Sequence, residues 1–251
     1  MGRIEFQNIH KSFGDLDVLC GVDLVVEPGS IFYVIGQSGA GKSVLVKHLI
    51  GLIRPDEGRV FLDGEDVTDL TEKELYPIRK RCAMVFQNAT LFDSMTLLEN
   101  VALPIRKHRD VSGEEARREA IDYLERVEME GYASRYPADF GDGMRKKVAI
   151  ARALTMEPEF VIFDEPTTAI DPESAAMVDA LIRQLSDSFG VTSIVISHDL
   201  RSIFGVADRI AMLYKGELRM DGTPEEFRRT DDPVVRQFIE GLPEGPMEEP
   251  G

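Results

Sequence analysis

The run Gly36-Gln37-Ser38-Gly39-Ala40-Gly41-Lys42-Ser43 constrains this chain more than any other feature, because it satisfies G-x-x-x-x-G-K-[ST] at a defined place. Before it stands the apolar, β-branched and aromatic run Ile31 to Ile35, which reads as a buried strand. After it, from Lys42 to Leu52, Val44, Leu45, Leu49 and Leu52 recur at helical spacing. Strand, glycine-rich loop and helix in that order make a phosphate cradle. The glycines let backbone N–H groups turn inward, the helix N-terminus adds the positive end of its dipole, Lys42 reaches the outer phosphates, and Ser43 ligates Mg²⁺. A glycine-rich turn that merely precedes a helix has no need of the Lys-Ser pair.

The rest of the chain alternates in the same way, which predicts an α/β layer structure. Arg3 to Ile9, Val22 to Glu27, Arg59 to Leu62, Phe160 to Phe163 and Ser193 to Ile196 read as further strands. Thr71 with Glu74, Thr96 with Glu99, and Ser112 with Glu115 are capping-box pairs that announce helices, so the middle third reads as mainly helical. Asp171 followed by Pro172 marks another helix start. Order is expected to end at Glu244, where Gly, Pro and Glu take over through residue 251.

Composition excludes several classes. A net charge of -16 argues against a broad nucleic-acid surface, since phosphate backbones are bound mainly by Lys and Arg. Hydrophobic residues at 43% and charged residues at 29% suit a globular protein with a real core. No apolar run approaches the roughly 18 residues of a spanning helix, and the first residues lack the pattern of a secretory signal, so a cytosolic location is expected. Cys20 and Cys82 are far apart, outside any metal-ligand spacing, and are read as reduced thiols without a role.

A P-loop alone leaves kinases, GTPases and motor ATPases open. The second half of the site narrows the field: Phe160-Val161-Ile162-Phe163-Asp164-Glu165 is an apolar strand ending in two carboxylates. Asp164 is suited to hold Mg²⁺ through water and Glu165 to polarise an attacking water. Ile194-Val195-Ile196-Ser197-His198-Asp199 then puts a histidine just past another buried strand. Alone, His198 would read as structural.

Taken together, these segments resemble ABC ATPase subunits over nearly the full length. Phe13 looks like the aromatic that stacks on adenine, Gly36 to Ser43 like Walker A, and Gln87 like the glutamine that touches Mg²⁺ and couples nucleotide state to a membrane subunit. Asp164 and Glu165 look like the Walker B pair, Ala169-Ile170-Asp171 like the D-loop, and His198 like the switch histidine at the terminal phosphate. The resemblance implies a P-loop NTPase with a RecA-like core, a small antiparallel β lobe, and a helical lobe around residues 88–155, together one ATPase domain over 1–243. It also implies ATP and Mg²⁺ as ligands, with Ser43, Gln87 and Asp164 on the metal. Two subunits would stack head to tail, each ATP lying between one P-loop and the other subunit's signature segment.

A narrower resemblance is to the ATPase subunits of Mla-type phospholipid transporters of Gram-negative envelopes, which work with a permease, an MCE-domain lipid-binding protein and a small accessory subunit. Gly36 to Leu52 and Asp232 to Pro246 carry it. In the second stretch Val234, Val235, Phe238 and Ile239 form one apolar face, expected to bridge the dimer over residues 232–243, with packing on its own domain as the alternative. The expected location is the cytoplasmic face of the inner membrane. Other transport cargoes, or a weakly hydrolytic regulatory subunit, remain as alternatives.

One segment departs from the family. Where LSGGQ or LSGGM is usual, this chain has Phe140-Gly141-Asp142-Gly143-Met144, so Gly141 replaces the serine and Asp142 the first glycine. Asp142 suits a helix N-terminus, where its carboxylate is expected to cap. Facing a triphosphate it is awkward, so slow hydrolysis is expected.

Overall fold

The computed structural model describes residues 2–247. β1 (Ile4–Phe13) and β2 (Leu16–Val26) pair antiparallel, with Gly14 at φ 62 in the turn between them. β4 (Glu57–Leu62) lies on the far side of β1, and β5 (Glu65–Asp66) returns through Asp63 and Gly64, both at positive φ as a tight hairpin turn requires. These strands form the small β lobe, in the order β2-β1-β4-β5.

A larger sheet contains β3 (Ile31–Ile35), β6 (Cys82–Val85), β7 (Phe160–Asp164), β8 (Thr192–Ile196), β9 (Arg209–Tyr214) and β10 (Glu217–Gly222), in the order β10-β9-β3-β8-β7-β6. Its pairings are parallel except that of β10 with β9. β3 and β8 are buried along their whole length, as strands covered on both faces must be. Alternate residues of β3 enter different cores: Ile31, Tyr33 and Ile35 face the cluster that includes the helical lobe, while Phe32 and Val34 face the β lobe.

α1 (Lys42–Leu49) follows the P-loop and stops short of the expected Leu52. The reason is Gly51, at φ 64 and so close to Leu75 that a Cβ would lie 2.5 Å from its Cδ1. α2 (Glu72–Arg81) and α3 (Leu97–His108) open with both expected capping boxes complete. α4 (Gly113–Glu125) has the forward half, Ser112 Oγ accepting from the Glu115 amide. α3, α4 and α5 (Asp142–Leu154) pack together, and α5 also meets β6 and α6 (Pro172–Phe189). Asp171 caps α6 and Pro172 occupies its first turn, as the sequence predicts.

α7 (Leu200–Val206) and α8 (Pro224–Arg229) lead to α9 (Pro233–Glu240). Here the structure shows the packing on its own domain that the sequence reading offers as the alternative. Val234 and Val235 are buried in this chain's own core, with Phe238 and Ile239 packed against it, so the apolar face already has a partner in the same subunit. Asp232 caps the helix by accepting from the Val234 and Val235 amides, and Arg219 on β10 pairs with it at 2.6 Å. Residues 244–247, expected to lack order, fold back instead: Met247 is buried and its amide donates to Gln237 Oε1 at 2.7 Å. The remaining residues of that expected tail, 248–251, lie outside the described residues.

Candidate functional site

Parallel pairing brings four strand ends to one edge of the large sheet. Val34 pairs with Ile196, Ile196 with Asp164, and Phe163 with Val85. The P-loop after β3, the two carboxylates at the end of β7, His198 after β8 and Gln87 after β6 therefore share a rim, as ligand sites of such sheets do. Between this rim and the β lobe lies a cleft of about 760 Å³. Its lining includes Phe13, every residue from Gly36 to Ser43, Gln87, Asp164, Glu165 and His198.

The loop has the shape its glycines allow. Gly36 has φ 140, and a Cβ there would lie 2.2 Å from the Leu213 carbonyl oxygen; Gly41 has φ 93, with Leu19 Cδ2 2.6 Å from any added Cβ. Lys42 Nζ donates to the carbonyls of Gly36 and Gln37 at 2.9 and 2.8 Å, inside the curve of the loop. Burial pushes the Lys42 pKa down, while the nearby carboxylates of Glu165 and Asp164 push it up. Phe13, on the cleft lining, is 50% exposed, with Lys11 Nζ over its ring 5.4 Å from the centroid.

Ser43 Oγ donates to Asp164 Oδ1 at 3.2 Å. A hydroxyl and a carboxylate side by side beneath the loop, with the Gln87 side chain on the same cleft, are hard oxygen donors that fit Mg²⁺, which takes few protein ligands when phosphates supply the rest. Glu165 has φ 52, a conformation that costs on the order of 1–3 kcal/mol for such a residue. Its Oε2 accepts from Thr168 Oγ1 at 2.8 Å and lies 2.9 Å from His198 Nδ1. His198 is therefore placed by the carboxylate of the residue expected to polarise water.

The signature residues Gly141, Asp142 and Gly143, and Asp171, are not on this cleft. They cluster where the N-termini of α5 and α6 meet: a Cβ on Gly143 would lie 2.4 Å from Ser174 Oγ, and that hydroxyl donates to Asp171 Oδ2 at 2.6 Å. Asp142 does not cap α5 as expected. The N-cap is Gly141, which offers no side chain, and the Asp142 carboxylate instead pairs with Arg145 one turn on. Lys146, 2% exposed, joins the two regions by donating to the Thr168 carbonyl at 2.7 Å and the Glu165 carbonyl at 3.4 Å.

Sequence reasoning missed Lys146, Thr168 and Phe238. Phe238 lines the cleft although it lies in α9, far along the chain. Its only sequence signal is an apolar helical face that the structure divides between core and cleft.

Comparison with known proteins gives a consistent picture. The family description "ABC transporter" matches residues 19–168. A probable ribonucleotide transport ATP-binding protein, mkl, of Mycobacterium leprae is 36% identical over 97% of this chain and 70% of its own length. The intermembrane phospholipid transport system ATP-binding protein MlaF of Haemophilus influenzae is 35% identical over 97% of this chain and 92% of its own. Among solved structures, a dimeric ATP-binding cassette in a post-hydrolysis state with ADP and Pi is 32% identical, with a TM-score of 0.80 over 88% of this chain and 98% of that one.

Proposed function

Since the chain belongs to the ABC transporter family and is an ABC-type ATPase that energises transport, we propose that its cargo is phospholipid and that it works as one of two such subunits beneath a membrane permease. The observation that carries the hydrolytic part is the meeting of Lys42, Glu165 and His198 at one cleft. The loop amides and Lys42 hold the β- and γ-phosphates, and Phe13 offers its exposed ring to adenine. Glu165 takes the proton of a water whose oxygen bonds to the γ-phosphorus, while the bridging oxygen leaves with ADP. His198 shares the Glu165 carboxylate and contacts the terminal phosphate. Ser43, Gln87 and Asp164 would hold Mg²⁺, which would supply neutralisation of the phosphate charge.

Among the described residues no helix is long and apolar enough to cross a membrane, so movement of cargo falls to partner chains. Phe86 and Phe92, 39% and 49% exposed on either side of Gln87, offer a surface for the permease. Similarity to MlaF supports phospholipid as cargo, an MCE-domain protein and a small accessory subunit as further partners, and the cytoplasmic face of the inner membrane as location. Similarity to mkl favours a second reading, in which the cargo is a ribonucleotide.

Co-purification with its permease, followed by reconstitution into proteoliposomes, tests the cargo. ATP-driven movement of a fluorescent phospholipid, lost in Glu165→Gln, is the expected result. Movement of labelled ribonucleotide without lipid would transfer the assignment to the second reading, and movement of neither would remove both.

A further inference from the structure

A row of polar side chains that take no part in holding nucleotide links β3, α7 and α6, two of them buried and the third, Asp179, half-buried. Tyr33 on β3, three residues before Gly36, is fully buried, yet its hydroxyl lies 3.0 Å from Oγ of Ser202 on α7. Ser202 is 1% exposed, and its hydroxyl donates to Asp179 Oδ1 on α6. An ionised carboxylate only accepts, so above the Asp179 pKa the Ser202 proton points to Asp179 and the Tyr33 proton points to Ser202. The order of donation is fixed along the row.

This arrangement is costly. Burial pushes the Asp179 carboxyl up to about 6, with the Ser202 bond opposing and the Asp199 charge adding to the rise. Burial also pushes the Tyr33 phenol up, and Arg183 partly opposes that. Asp199 on α7, Arg183 on α6 and the phenol of β3 are the titratable groups around the row. An apolar trio of similar volume would avoid the desolvation cost, so stability alone does not account for these residues.

What the row joins does account for them. β3 runs into the P-loop, α6 follows the loop that begins at Glu165, and α7 starts two residues after His198. α7 is a single short helix of seven residues, fastened on its apolar side by Ile203 and Val206. Asp199 caps it by accepting from the Arg201 amide, and its own amide donates to Ser197 Oγ at 3.0 Å, so a turn of the helix carries the His198 backbone with it.

We propose that the Tyr33–Ser202–Asp179 row is a positioning device for His198, fixing α7 against the P-loop strand and α6 so that the imidazole stays at its bond with Glu165. Ser202 and Asp179 are positioning residues, acting through the histidine. The proposal rests on the reading of His198 given above.

The test uses the full-length chain in its transporter complex, with kcat and KM for ATP measured separately. Ser202→Ala and Asp179→Ala should each lower kcat by about tenfold, with KM within about twofold, because the loss is one of placement. Asp179→Asn keeps an acceptor oxygen and should restore kcat, while its melting temperature at pH 8 equals or exceeds that of the parent. Adding Ser202→Ala to His198→Ala should cause no further loss. A multiplied loss in the double variant, or an Asp179→Asn protein as slow as Asp179→Ala, overturns the positioning role. Full activity in His198→Ala alone would instead overturn the reading of the histidine, and the proposal with it.

Discussion

Around the P-loop, residues from four strand ends converge on one cleft, and each segment keeps the chemistry that phosphate binding and hydrolysis require. At the start of α5, outside that cleft, the segment that resembles the family signature has Gly141 and Asp142 where a serine and a glycine were expected. The two regions belong to one ATPase but answer to different constraints. The P-loop is shaped within a single subunit, by contacts such as Gly36 with Leu213 that tolerate no Cβ. The signature segment is placed by its fold but, in the head-to-tail dimer we propose, would act on a nucleotide held by the other subunit. Substitutions there are expected to leave folding intact and to fall on closure of the dimer.

The largest effects should come from the P-loop side. Lys42→Ala is expected to abolish ATP binding, measured by calorimetry. Glu165→Gln should bind ATP with near-normal affinity and hydrolyse it about 100-fold more slowly or worse, in line with the loss of a general base. Equal ATP affinity in the two proteins would erase the separation of roles within this half.

Smaller effects should come from the signature side. The missing hydroxyl removes a hydrogen bond to a charged phosphate, typically worth about 1.5–3 kcal/mol. The charge of Asp142 adds repulsion, although its pairing with Arg145 offsets part of that. Restoring Gly141→Ser and Asp142→Gly together should therefore raise kcat by about tenfold. An unchanged rate would show that the two halves do not differ in the way proposed.

Phe238→Ala should weaken ATP binding by a few-fold, about 1 kcal/mol, because the ring is one wall among many. An unchanged dissociation constant would return Phe238 to the core of α9.

The smallest effect is on stability. Asp179 has its pKa raised to about 6 from 3.8, so the protonated folded form contributes stability that is present below the unfolded value and lost as pH rises through the folded one. The Asp179→Asn protein escapes that loss. Its melting temperature, relative to the parent, should climb between about pH 4 and pH 6 and stay level above, as read by scanning calorimetry. A difference independent of pH would mean that Asp179 is not strained by its burial.

Much of the nucleotide site was legible because each part is a local signal. The P-loop, the acidic strand end at Asp164 and Glu165, and the caps at Thr71, Thr96 and Asp171 depend on residues a few positions apart. β6, β9 and β10 escaped notice: β6 has only four residues, β10 is a largely polar edge strand, and Arg209 to Tyr214 reads as well for a buried helix turn. Contacts across the chain were also hidden. Nothing local says that α9 closes on its own subunit or that Lys146 reaches the Glu165 loop.

The central claim is that one half of the site is complete and the other limits closure. It is tested most directly by sedimentation of the Glu165→Gln protein with Mg-ATP, alone and with Gly141→Ser and Asp142→Gly added. The account predicts that Glu165→Gln alone remains largely monomeric while the triple variant sediments as an ATP-dependent dimer. Equally tight dimers in both would contradict it.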